Sequence, residues 1–351
     1  MTTFQPPTID QRITATLTGD PGRVPVVVGL CGAGRTSLLR RLADAIGPLD
    51  AQYVNVERTA TTPERFLAAL TSASPFVDPG STPRVSSPRQ AFDAVLAFFA
   101  AAHRADNRPV TFLLDEVLEF RTFESFPGLR RALPELLAVI AASPNHFVLT
   151  SRFPTRVDRA LAGASPQFSV VPMPALADID VSRLIYEAAP RRDGPAWLVS
   201  ALSGGRPSYV RAIADAIASR PEGPGDVAPM DTLVAALGPG AGLWSLCAFE
   251  YEMRLHRARG YGALKAILEI LSEEEPLTLT DISQRMGRTP GSTKDYLSWL
   301  EDVDLVSVQK KRYRYRDPLL RLWVRLHCHS APPTADAIGR ELRQFLEPQL
   351  G

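Results

Sequence analysis

Two textures alternate along the first half of the chain. Short, nearly continuous apolar runs at 24–28, 51–56, 110–114, 146–150 and 168–171 read as strands. Between them, apolar residues return at helical spacing near 62–70, 91–103 and 129–142, with Thr62 as an N-cap and Glu64 in the first turn of the first of these. Runs apolar on every position suit strands buried on both faces, and strands separated by helices predict a parallel sheet covered on both sides. The fold class expected is therefore α/β, a parallel sheet with helices on both faces. Residues 72–88 are rich in Pro, Ser and Gly and read as a loop.

The second half reads differently. Helical periodicity covers 179–188, 195–202 and 208–218, a Pro- and Gly-rich stretch at 220–242 reads as a linker, and 243–271 reads as helical. Residues 277–316 have the layout of a winged helix-turn-helix. Thr280 is expected to cap a first helix, 288–291 to turn, and 292–303 to form a second helix with Tyr296, Leu297, Leu300 and Val303 inward. A hairpin of 305–308 and 312–316 around Gln309-Lys310 would be the wing. An amphipathic helix is expected at 334–346. The expected domains are 1–172, a nucleotide-binding α/β domain; 173–240, a helical lid and linker; 241–330, a helical segment with the winged helix; and 331–351, a tail helix.

Composition narrows the classes. At 351 residues the chain has room for two or three domains, and a net charge of +1 gives no global field for nucleic acid or anionic membrane. Three cysteines, Cys31, Cys247 and Cys328, show neither disulfide nor metal spacing, so a reduced, cytoplasmic setting is expected. No apolar run is long enough for a membrane span, and the N-terminus has no signal-peptide pattern. Lysine occurs only at 265, 294, 310 and 311 against 35 arginines. The basic cluster Arg254, His256, Arg257 and Arg259 reads as a solvated helix face.

Chemistry enters at the end of the first strand. Gly29-Leu30-Cys31-Gly32-Ala33-Gly34 forms a glycine-rich turn, and Arg35-Thr36-Ser37 opens the helix bearing Leu38, Leu39 and Leu42. That is the G-x-x-x-x-G-basic-T spacing of a phosphate-binding P-loop, in which glycines let backbone N–H groups converge on a polyphosphate at a helix N-terminus. Thr36 is placed to hold Mg²⁺. The usual lysine is Arg35, which keeps the charge but is a longer, planar fork. The run 110–114 ends in Asp115-Glu116, the Walker B pattern: Asp115 for Mg²⁺, Glu116 to orient and polarise water. Leu149-Thr150-Ser151-Arg152 ends the next strand, with Arg152 as a candidate γ-phosphate sensor, and Gly204-Gly205-Arg206-Pro207 precedes a helix. The five histidines show no useful metal spacing and read as structural.

This order of motifs resembles the STAND branch of AAA+-related P-loop ATPases, and within it the archaeal-type ATPase group, over residues 20–328. The tract Arg312–Leu326 is similar to the end of that group's winged helix. The resemblance implies binding of ATP/ADP with Mg²⁺ and use as a nucleotide-controlled switch. It carries Gly29, Gly34, Arg35, Thr36, Asp115, Glu116 and Arg152 to nucleotide roles, and Pro207 to the adenine. Gly32, Ala33 and Ser37 fall in the same cofactor-binding loop. Three features depart from the group: Arg35 itself, Pro6-Pro7-Thr8-Ile9 where a Gly-Arg-Glu signature is usual, and the end of the chain at Gly351 where many relatives continue into a nuclease-like domain. Arg35 is expected to leave binding intact and to make hydrolysis slow or impaired.

The wing offers Lys310, Lys311, Arg312, Arg314 and Arg316 as candidate DNA contacts, whereas Asp295, Glu301 and Asp302 on the second helix would repel phosphates. The winged helix is thus expected to face protein or DNA, without a membrane partner. Two other functions stay open: a non-hydrolysing scaffold or DNA-binding regulator with a degenerate ATPase core, and an oligomeric motor using Arg130, Arg131 or Arg156.

Overall fold

The computed structural model describes residues 8–20, 22–76, 85–190, 196–219, 229–256, 260–328 and 331–347. The chain divides into two compact units. The first takes the chain up to Leu30 together with Gly34–Pro174, and the second takes Cys31–Ala33 and the chain from Ala175 onward.

The first unit is built on five parallel strands, β1 (Val24–Val28), β2 (Ala51–Asn55), β3 (Thr111–Asp115), β4 (His146–Ser151) and β5 (Phe168–Pro172), in the order β2-β3-β4-β1-β5. β1 and β3 are buried at every position, as a sheet covered on both faces requires. Pro25, which has no N–H to give, precedes the stretch Val26–Val28 that pairs with β4. Side chains alternate across the sheet. Val27, Leu113 and Val148 join one core with Leu38, Leu39 and Leu42 of the helix Arg35–Ile46 and with Ile9, Ile13 and Leu17. Phe112 and Phe147 turn the other way, stacked with centroids 5.3 Å apart, and Phe99 meets Phe112 edge-on at 4.9 Å.

Four elements of this unit escape the sequence reading, the first being the one-turn helix Val56–Thr59, which takes Val56 out of the strand expected over 51–56. Ile9–Gly19 is a helix held by a capping box between Thr8 and Gln11, so Thr8-Ile9 starts a helix. Val117–Ser125 is a 3₁₀-helix whose Phe120 and Phe123 pack on Phe66. Pro154–Leu161 is a short helix after β4.

The second unit holds the helices Asp178–Ala188, Ala196–Ser203 and Pro207–Ala218, then Pro229–Ala236, Gly242–His256 and Tyr261–Glu273. The stretch expected as a linker therefore contains a helix at its C-terminal end; residues 220–228 lie outside the described residues. Three short strands follow, β6 (Leu277–Thr278), β7 (Val306–Gln309) and β8 (Arg312–Tyr315), antiparallel in the order β6-β8-β7. With the helices Leu279–Met286 and Pro290–Asp302 they make the winged helix-turn-helix. The first of these helices is capped by Thr278, not Thr280, because Thr278 and Asp281 close a reciprocal capping box.

The wing turn is Lys310-Lys311 rather than Gln309-Lys310. Gln309 pairs with Arg312, and both lysines take left-handed backbone, φ 49° and 65°, as a two-residue type I′ hairpin demands. Two final helices, Pro318–His327 and Ala335–Leu346, complete the unit.

Arg254 corrects another expectation. It is 2% exposed, donating to Glu250 at 3.0 Å and to the Asp304 carbonyl at 3.2 Å, so it belongs to the core. His256 is exposed, and Arg257 and Arg259 lie outside the described residues.

Candidate functional site

Sheet order assembles the site. β4 lies between β1 and β3, so the carboxyl end of each strand delivers one motif to the same edge: the glycine loop after β1, Asp115-Glu116 at β3, and Thr150-Ser151-Arg152 at β4. Ligands of open α/β sheets bind at that edge. Gly34, at φ 92°, is the N-cap of the helix Arg35–Ile46, and no side chain caps that helix. The first N–H groups of Arg35, Thr36 and Ser37 therefore lack a side-chain acceptor, which leaves a helix N-terminus open to an anion.

Arg35 is 6% exposed and turned onto its own loop. Its Nη1 donates to the Gly29 carbonyl and, at 2.6 Å, to the Leu30 carbonyl, while Nη2 donates to Glu116 Oε1 at 2.8 Å. Nε is buried without a hydrogen-bond partner. Glu116 takes a second cation as well: Arg152 Nε lies 3.2 Å from Oε1, and the Arg152 N–H donates to Oε2 at 3.0 Å. Arg152 Nη2 in turn pairs with Glu57. The result is a run of alternating charge, Arg35–Glu116–Arg152–Glu57.

Glu116 itself sits in left-handed backbone, φ 60° and ψ 53°, a conformation that costs a non-glycine residue about 1–2 kcal/mol. Its N–H is tied to Thr150 Oγ1 at 3.1 Å, which holds it there. Strain of this kind concentrates at functional sites.

Asp115 is 1% exposed and surrounded by hydroxyls. Oδ2 accepts from Thr36 Oγ1 at 2.7 Å and from the Tyr53 hydroxyl at 2.9 Å, and Oδ1 accepts from Thr150 Oγ1 at 2.5 Å. Among the described residues no cationic side chain pairs with it. A buried carboxylate beside a threonine hydroxyl, with its charge met only by O–H dipoles, is a hard-oxygen donor pair suited to Mg²⁺. Tyr53 is pushed up to about 12 by burial first and then by the charge of Asp115, so it keeps its proton at neutral pH.

Thr36, Asp115, Glu116, Arg35 and Arg152 thus come together in the first unit, with Gly29, Gly34 and Ser37 around them. Gly32 and Ala33 group with the second unit, where Pro207 is the first residue of the helix Pro207–Ala218. Tyr53, Glu57 and the Thr150 hydroxyl belong to no role assigned from sequence. Their signal was positional: each lies at or just past the carboxyl end of a strand next to a motif strand, or on one.

On the wing, Arg312 and Arg314 are exposed on one face of β8, with Tyr315 buried and Tyr313 half-buried on the other. Lys310 and Lys311 are exposed at the tip. Arg316 instead pairs with the buried Asp304.

Among solved structures the fold matches the Walker-type ATPase PABY2304 of Pyrococcus abyssi, with a TM-score of 0.66 at 15% identity over 90% of this chain and 94% of that one. The chain has the Walker-type P-loop ATPase fold. A STAND protein with a tetratricopeptide-repeat sensor from Pyrococcus horikoshii aligns with 98% of this chain and 46% of its own at 13% identity and TM-score 0.35. Drosophila ORC bound to DNA aligns over 87% and 90% at 13% identity and TM-score 0.38. At those scores neither carries an argument. No protein-family model matches the sequence, and no curated protein matches it. In this fold β1 runs into the glycine loop and β3 ends in Asp115, followed by Glu116. Among the described residues there is no cluster of three metal-ligating side chains and no single helix long and apolar enough to cross a membrane.

Proposed function

We propose that this protein is a cytoplasmic ATP- and ADP-binding switch in which the Walker A arginine keeps hydrolysis slow. The observation that carries the reading is the grip on Arg35. Its guanidinium is held by two loop carbonyls and by Glu116, the residue that would polarise the attacking water. A carboxylate held by two arginines is aimed at cations instead of water. The loop glycines and the uncapped helix N-terminus are unaffected by this pairing and support phosphate binding.

Thr36 and Asp115 are the residues that would hold Mg²⁺, which, bound with the nucleotide, neutralises charge on the phosphate oxygens. Arg152 is suited to sense a γ-phosphate, because its present partners are carboxylates that a phosphate can replace.

Within the second unit, Arg206, next to Pro207, pairs with Asp317 at 2.7 Å and Glu250 at 3.2 Å. Asp317 caps the helix Pro318–His327, so the segment bearing Pro207 is bonded to the winged-helix end of the unit. This supports the winged helix as the output surface, toward a protein or DNA. The basic wing favours DNA, the acidic second helix favours protein. Assembly into an oligomer is compatible with the reading.

The test is turnover. The unaltered protein should hydrolyse ATP slowly, and Arg35→Lys should raise the rate at least about tenfold, since an ammonium cannot make the forked contacts that occupy Glu116. If Arg35→Lys gains nothing while still binding ATP, the second reading is favoured: a non-hydrolysing scaffold whose core has lost catalysis at more than one position.

A further inference from the structure

Tyr53 belongs to no nucleotide motif, yet its hydroxyl donates to the same oxygen of Asp115 that Thr36 engages. We propose that Tyr53 is a positioning residue for the Mg²⁺-binding pair, fixing the Asp115 carboxylate in the orientation in which Thr36 and Asp115 take a divalent cation. The inference rests on the nucleotide reading and deepens it.

The geometry follows from strand register. β2 and β3 run parallel with Tyr53 opposite Leu113 and Asn55 opposite Asp115. A short side chain at 53 would end two positions before the carboxylate; the length of a phenol carries its oxygen that far. The ring is fixed at its base, where it packs against the core that contains Leu38, Leu39 and Leu113. Arg40 lies over its face, 5.8 Å from the centroid. Asn55 Nδ2 donates to the phenol oxygen at 3.4 Å, so the hydroxyl proton is left for Asp115.

Rotation about the last bond of an aspartate is broad and roughly two-fold, so hydrogen bonds decide where its oxygens point. Here Thr150 fixes Oδ1 while Thr36 and Tyr53 fix Oδ2. Thr36 gives its one proton to Asp115 and keeps its lone pairs for a cation. When those lone pairs are engaged, Tyr53 is the donor on Oδ2 with no second duty. Removing its hydroxyl therefore loosens the carboxylate on the side that faces Thr36 and leaves the P-loop glycines and Arg35 untouched.

The experiment is calorimetric titration of ADP into the full-length protein and its Tyr53→Phe variant, once in Mg²⁺ and once in EDTA. Phenylalanine keeps the ring and its packing. The gain in affinity from Mg²⁺ should shrink about tenfold in the variant, the effect of one hydrogen bond to a charged group. Affinity in EDTA should stay within about twofold. Asn55→Ala, which removes the donor behind the phenol together with the side-chain oxygen that accepts from the Arg58 N–H, should lose part of the Mg²⁺ gain and serves where Tyr53→Phe folds poorly. An undiminished Mg²⁺ gain in Tyr53→Phe overturns the inference, as does an equal loss in EDTA, which would mark a packing role. If the unaltered protein binds ADP in neither buffer, the nucleotide reading itself falls, and the inference with it.

Discussion

Arg35 Nη2 and Glu116 Oε1 lie 2.8 Å apart, with both side chains 7% exposed. The basic residue after the glycine loop and the acid that follows β3 are thus each other's counter-ion. An arginine can make this pair while also donating to two loop carbonyls because its donors form a fork; a single ammonium offers no such planar spread. Glu116 then stands where incoming phosphate charge would seek Arg35. Glu116→Gln should tighten ADP binding about tenfold, equivalent to roughly 1.4 kcal/mol. In an Arg35→Gln background the same substitution should change little, because the partner is gone. Fluorescence titration of a labelled ADP across the four proteins reads this coupling, and additive effects would contradict it.

The wing sets stability against binding. Lys310 and Lys311 hold left-handed backbone that asparagine and glycine adopt at lower cost. Replacing the pair by Asn-Gly should stabilise the protein by about 1 kcal/mol or more. If the wing contacts DNA phosphates, the same change should flatten the dependence of log K on log salt by about 0.9 for each phosphate no longer neutralised. Arg316→Ala should instead destabilise the unit, since it pairs with buried Asp304, and barely alter the salt slope. Filter binding over a salt series separates these outcomes; an unchanged slope in the Asn-Gly variant removes the wing from DNA binding.

A buried ion network holds the second unit together. Asp317 is 2% exposed and accepts from Arg206 and, at 2.7 Å, from the Tyr209 hydroxyl. Burial opposes its charge, but Arg206 and Tyr209 outweigh burial and hold its carboxyl below the usual range. Asp317→Asn leaves Arg206 and Arg254 sharing the single carboxylate of Glu250 and should cost about 3–5 kcal/mol. Adding Arg206→Met should recover part of that loss. Urea unfolding measures both, and a single-variant cost under about 1 kcal/mol would contradict the network's role.

How far the sequence could be read depended on the kind of signal. Continuous apolar runs and P-loop spacing announced β1, β3 and the site residues on them, because a buried parallel strand must be apolar on both faces. The helix Ile9–Gly19 was hidden: most of its positions are polar or small, and only Ile9, Ile13 and Leu17 are buried. Arg254 looked like one of a surface cluster, and only the tertiary partners Glu250 and Asp304 explain its burial. Tyr53 and Glu57 reach the site across strand neighbours, which no local pattern encodes. Arg35 could be read as a substitution, but its grip on Glu116, 81 positions away, could not.

His327 gives the fold a pH dependence. Its ring packs against Trp244 and Trp323, Nε2 contacts the Leu237 carbonyl at 2.9 Å, and burial lowers its pKa below the ordinary value. With a depressed folded value, the unfolded chain takes up the proton first as pH falls through about 6.5, so stability declines from there downward and levels off below the folded value. His327→Gln should remove that part of the decline in urea midpoints between pH 7.5 and 5.5. An identical decline in both proteins would assign it elsewhere.

Thermal unfolding of the purified, nucleotide-stripped protein tests the central claim most directly, run without ligand, with ADP, and with Mg²⁺-ATP. A ligand at about 100 times its dissociation constant adds roughly 2.7 kcal/mol to a folded state that binds it. The account predicts a rise in midpoint with both nucleotides, and a different rise with ATP if Arg152 exchanges its carboxylates for a γ-phosphate. An unchanged midpoint with both at millimolar concentration would mean that the Arg35–Glu116 pair has closed the loop to phosphate, and the protein would be no nucleotide switch.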